Sequence, residues 1–163
     1  MTNEDRAIRL DRMRYVKNHL SARLCYLAIL FDVFFFANIY KSDVGTWYYK
    51  LIVGASIVYN LLFMLFVFLG SEGVKNYKDG YTWPLLLVGV AQIARIFILP
   101  VQARGALIKI GGVETAVMGS GQFVRAVLYL AVSAVALIAA AIVNRRKCRA
   151  LAGHLKTLED PKV

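Results

Sequence analysis

The chain has 163 residues, 59% of them hydrophobic and only 18% charged, with a mean hydropathy of +0.57 and a net charge of +10. Soluble domains carry about 25% charged residues, so this balance leaves too little polar surface for a soluble fold. The expected fold is an all-α integral membrane protein, one domain of four transmembrane helices with spans at 24–40, 50–70, 81–102 and 122–144. Short amphipathic helices at 4–21 and 146–159 and a β-hairpin between spans three and four complete it, with no room for a separate soluble catalytic module.

Thr2 followed three residues later by Asp5 reads as a helix start. Beyond it Ile8, Met13, Val16 and Leu20 recur among arginines, as in a helix lying at the membrane interface. The first apolar run is interrupted by Asp32 and followed by no small-x-small cleavage pattern, so it reads as a retained span rather than a leader. Residues 51–71 contain no Lys, Arg, Asp or Glu over 21 positions, and residues 126–144 none over 19. Each matches the roughly 20 apolar residues that cross a bilayer as one helix. The third span is bracketed by Pro84 and Pro100 and carries Gln92 and Arg95.

Between spans three and four, apolar segments 106–110 and 113–118 flank Gly111-Gly112. A Gly-Gly pair between β-branched runs is a hairpin signal. With these glycines at the turn, Ile110 pairs with Val113 and Lys109 lies opposite Glu114 as a cross-strand charge pair.

The distribution of basic residues sets the expected orientation. The two tails and the middle loop hold fourteen of them, whereas the opposite side holds five: Lys41, Lys50, Arg104, Lys109 and Arg125. Under the positive-inside rule both termini are cytoplasmic, in a multi-pass protein of the plasma membrane. The same placement assigns the basic tails to anionic lipid headgroups and not to nucleic acid. Cys25 and Cys148 then sit on the reducing side, with no CxxC and no histidine placed to complete a metal site.

Counted at 1.5 Å per residue from the cytoplasmic ends, Asp32, Asn60, Gln92 and Ser133 each lie about 14–16 Å deep. That is the middle of a hydrocarbon core about 30 Å thick. Arg95 follows Gln92 by three residues on the same helix face. The expected site is therefore an intramembrane polar network in which Asp32 is counter-ion to Arg95. Asn60, Gln92, Ser133 and Tyr129 satisfy the remaining donors and acceptors. A lone charge at the bilayer centre costs about 2.5–3.5 kcal/mol on insertion scales, so the pair has a structural reason to form without any further role.

The chain holds no HExxH, no nucleophile with a paired histidine, no carboxylate cluster at metal spacing and no phosphate loop. The expectation is a non-enzymatic membrane subunit or accessory protein of a larger assembly, without cofactor or metal, partnered by another membrane protein or by itself. The alternative is a small ion- or proton-coupled transporter acting as a homo-oligomer.

Overall fold

The computed structural model describes residues 17–39, 47–110 and 112–159. Helix α1 spans His19–Ile39, α2 Trp47–Lys75, α3 Thr82–Ile96 and α4 Ser120–Glu159. Helix α3 is prolonged by a π-helical turn, Phe97–Val101, and a helical turn, Gln102–Gly105, before the strands β1 (Leu107–Ile110) and β2 (Val113–Ala116). Four segments, His19–Ile39, Gly54–Lys75, Asp79–Gly105 and Ser120–Lys156, are long and apolar enough to cross a membrane, the mark of a multi-pass membrane protein.

The distribution of side chains agrees with that environment. Leu61, Leu62, Leu87, Phe97 and Val135 are each more than half exposed, while Asp32, Asn60, Gln92 and Ser133 are wholly buried. A soluble fold arranges the two classes the other way round. Helix α4 packs along α1 and α3, α2 packs on α1, and α2 and α3 meet at few points. Small residues on α4 permit this: Ala126, Ala134, Ala136, Ala140 and Ala141 are all buried. Opposite them, a Cβ on Gly89 would stand 2.9 Å from Ile138 Cγ1 and 3.3 Å from the Ala134 carbonyl oxygen, so glycine sets the distance between α3 and α4.

The core is divided. One apolar cluster holds Cys25, Ala28, Phe63, Val67, Leu85 and Leu137; the other holds Phe35, Ile39, Met118, Ala126 and Leu130. Asp32 on α1 and Ser133 on α4 lie in sequence between members of the two, so a polar layer separates them.

Helix ends explain the boundaries. Asn18 caps α1, its Oδ1 accepting the Ser21 N–H at 3.3 Å. Helix α2 closes in a Schellman motif, with Lys78 N–H donating to Gly73 O and Tyr77 N–H to Val74 O, both at 3.1 Å. The left-handed position of that motif, normally glycine, is Tyr77 at φ +56°. Pro84 sits in the first turn of α3, where no intrahelical N–H bond is needed, and Pro100 lies in the π-helical turn that absorbs its missing donor.

The two strands pair antiparallel with Leu107 opposite Ala116, Ile108 opposite Thr115, Lys109 opposite Glu114 and Ile110 opposite Val113. Gly112 takes φ +87° at the turn, and Gly111 lies outside the described residues. Just past β2, buried Met118 anchors the base of the strand pair into the second apolar cluster.

Two sequence expectations are corrected here. The segment 146–159 is no separate interfacial helix, because α4 runs unbroken for 40 residues. Nothing between Asn144 and Ala152 stops a helix, and Asn144 uses its amide for lateral bonds instead of ending one. At the other end α1 already begins at His19, so residues 19–21 belong to the spanning helix and not to a segment at 4–21. Residues 4–16 of that segment lie outside the described residues.

Candidate functional site

The mid-bundle layer is built around the Arg95 guanidinium. Its Nη1 donates to Asp32 Oδ1 at 3.0 Å and to Gln92 Oε1 at 3.4 Å, and its Nη2 donates to Ser56 Oγ at 2.9 Å. The rings of Phe35 and Tyr59 lie 4.4 and 4.7 Å from the guanidinium carbon, so aromatic faces as well as oxygens surround the charge. Asp32 is fully buried and Arg95 is only 5% exposed.

The helical period puts these groups together. Gln92 and Arg95 share one face of α3, and Gln92 Nε2 donates to the same Asp32 Oδ1 at 3.0 Å. The network then crosses to α4, where Ser133 Oγ accepts from Gln92 Nε2 at 3.5 Å and donates to the Ala28 carbonyl at 3.1 Å. All four helices contribute: Asp32 from α1, Ser56 from α2, Gln92 and Arg95 from α3, Ser133 from α4.

Two expected members stand apart. Asn60 is wholly buried on the inner stripe of α2, one turn from Ser56, yet neither its amide nitrogen nor its oxygen is hydrogen-bonded; Asp32 Oδ2 is likewise buried and unbonded. Tyr129 is not in the network. It packs against Phe31 and Phe34, with ring centroids 6.1 and 5.8 Å away, because one helical turn before Ser133 its long side chain points along the α1–α4 seam. The residues that sequence reading left out are Ser56, Tyr59 and Phe35. Ser56 is legible as a small inward-facing residue on α2, whereas nothing in an aromatic-rich span marks which rings will face a cation.

A second buried polar cluster, also absent from the sequence reading, ties the opposite half of the bundle. Asn144 on α4 donates from Nδ2 to Thr82 Oγ1 at 3.0 Å and to Lys78 O at 3.3 Å, and its Oδ1 accepts from Asn18 Nδ2 at 3.3 Å. Asn18 also donates through its backbone N–H to Lys75 O at 2.8 Å, and Cys148 Sγ–H reaches Tyr77 O at 3.3 Å. Both cysteines are free, and among the described residues no group of His, Cys, Asp and Glu is placed to hold a metal ion.

Lys109 and Glu114 are cross-strand neighbours in the hairpin, on a different element from the mid-bundle network. Chemically, the network offers one charge pair, a ladder of neutral donors and acceptors, and two unbonded polar groups beside it. No family model matches this chain, and neither a curated protein nor a solved structure matches it.

Proposed function

We propose that the chain is a non-enzymatic integral membrane subunit, an accessory of a larger membrane assembly, in which the Asp32–Arg95 network fixes the relative rotation of four helices. The observation that carries this reading is the engagement of Arg95. Three oxygens and two ring faces already occupy its guanidinium. A buried, hydrogen-bonded pair of this kind has its best-attested use in specifying how helices pair. The basic tails and middle loop support cytoplasmic termini in a plasma membrane, with anionic headgroups alongside and the β1–β2 hairpin on the outer side.

A second reading is favoured by one specific observation: Asp32 Oδ2 and both polar atoms of Asn60 are buried without a partner. Unpaired polar groups at bilayer depth suit a small ion- or proton-coupled transporter acting as a homo-oligomer.

Purification in nanodiscs separates the two readings. A stoichiometric larger membrane protein that co-purifies supports the subunit; a clean homo-oligomer that moves charge across liposomes overturns it in favour of the transporter. Reporter fusions test the orientation. Those within 72–79 and at the C-terminus should read cytoplasmic and those within 42–46 or 106–118 external, and an external C-terminus sinks the four-span orientation.

A further inference from the structure

Helix α4 outruns the bundle, and its covered side does not stop where the bundle stops. Asn18 at the start of α1 and Thr82 at the start of α3 both bond Asn144, and the connection between α2 and α3 meets α4 at Cys148 through Tyr77 O. Beyond that level Arg149, Ala152, Gly153, Leu155 and Lys156 are exposed, whereas Leu151 and His154 are half-buried. The Nε2 atom of His154 is closed to solvent. Asn144, Cys148, Leu151 and His154 follow one another at helical spacing, so one stripe of α4 stays covered to about 9 Å past Cys148.

The cover belongs to the chain itself, because no second copy contributes to this burial. Of the residues outside the described set, 40–46 and 111 lie in connections at the opposite end of the bundle, and 160–163 follow Glu159, further along the chain than His154. That leaves 1–16. Their point of entry is fixed: Asn18 donates from its backbone N–H to Lys75 O at 2.8 Å and from its side chain to Asn144 Oδ1 at 3.3 Å, so the segment leaves the bundle at the foot of the α4 extension. Residues 4–16, in the helix that their sequence predicts, measure about 20 Å, enough to pass His154 about 15 Å beyond Asn144.

Charge favours the same pairing. The extension carries Arg145, Arg146, Lys147, Arg149 and Lys156 against Glu159 alone, whereas 4–16 hold three acids beside four arginines. On a helix Glu4, Ile8, Asp11 and Tyr15 share one face, which has two of the acids and no arginine. We infer that residues 4–16 dock antiparallel on the Cys148–Leu151–His154 stripe of α4 through this face. Counted from Asn18 opposite Asn144, Ile8 is then level with His154, and Asp11 is level with Leu151, one turn from Lys147. The docking takes the segment off the membrane interface and makes the extension a two-helix stalk. It holds under either reading of the function, since it uses none of the network's residues.

Disulfide trapping tests this in the full chain, reconstituted in nanodiscs with Cys25→Ala and Cys148→Ser. Ile8→Cys with His154→Cys, and separately Asp11→Cys with Leu151→Cys, should close a bond within one chain under mild oxidation, since facing residues with Cα atoms within about 7 Å can be bridged. One of the two pairs closing is enough. Ile8→Cys with Ala152→Cys, on the exposed side of α4, should keep both thiols free. A bimane label at Arg9→Cys, off the docking face, should be quenched by aqueous iodide and not by lipids brominated on their acyl chains; it reads the segment's seat without any change to the stripe. Both stripe pairs staying reduced, bonds formed between two chains, an equal yield from the Ala152 pair, or quenching of the label by brominated lipid would each overturn the docking.

Discussion

The bundle contains two buried polar clusters of similar size and opposite character. The Asn18–Asn144–Thr82 cluster is neutral, leans on backbone carbonyls at Lys75, Lys78 and Tyr77, and leaves none of these side-chain atoms unbonded. The Asp32–Arg95 cluster is ionic, is made almost wholly from side chains, and has unbonded groups at Asp32 Oδ2 and Asn60. The difference teaches where each kind of bond belongs. Near the helix ends free carbonyls are plentiful and a single asparagine can serve several of them. In the middle of helices the carbonyls already accept from their own ladder, and the ionic cluster borrows only one of them, Ala28 O from Ser133 Oγ at 3.1 Å; its other bonds run between side chains, where charge gives the strongest bond.

The largest effect should come from breaking the ionic cluster on one side only. Asp32→Asn or Arg95→Gln leaves an uncompensated buried charge, and each should destabilise by about 3–5 kcal/mol in thermal unfolding in detergent. Asp32→Leu combined with Arg95→Met should recover much of that loss, since well-packed apolar groups can replace a buried pair. Single variants that unfold like the parent would remove the pair from any account of stability.

The neutral cluster should respond less. Asn144→Ala removes one bond each from Thr82, Asn18 and the Lys78 carbonyl, which keep Asp79, Ser21 and the Tyr81 N–H as partners, and should cost about 1–2 kcal/mol. Because no charge is uncovered, its effect should be insensitive to whether Arg95 is present; coupling between Asn144→Ala and the Arg95 double variant would show that the clusters are not independent.

Gly89→Ala probes the packing between the clusters. The added methyl meets Ile138 and the Ala134 carbonyl, and it should destabilise by about 1–3 kcal/mol with α3 displaced from α4. The smallest effect belongs to the ring beside the cation. Tyr59→Leu removes one aromatic face from Arg95 and should cost about 1 kcal/mol, whereas Tyr59→Phe keeps the face and should stay near the parent.

The pair at Asp32 and Arg95 is legible in the sequence because charge inside an apolar run is rare and has few places to go. Four spans and the hairpin register are legible for a similar reason, being written in run length and in the spacing about Gly111-Gly112. Which rings flank Arg95 is not, since Phe35 and Tyr59 depend on the rotation of two helices about their axes. Tyr129 shows the same limit from the other side: one turn from Ser133 it shares a nominal face, but its length carries the hydroxyl out to the seam. Asn144 escapes notice for another reason. At the end of an apolar run and next to Arg145 it looks like an interfacial residue, and only the fold brings the capping residue of α1, the carbonyl of Lys78 and the hydroxyl of Thr82 to it.

The length of α4 has a mechanical consequence. Forty residues make a rod of about 60 Å, twice the thickness of the hydrocarbon core. Without a proline or a π-turn to act as a joint, torque applied to its basic extension at 145–159 is transmitted along the helix to Asn144 and Ser133, opposed by the contacts that α4 makes with α1 and α3. A turn of about 10° sweeps a side chain at a radius of about 5 Å through roughly 1 Å. The Ser133 Oγ contact with Gln92 is already 3.5 Å long, so a rotation of that size would release α4 from the charged layer while leaving Asp32 and Arg95 joined.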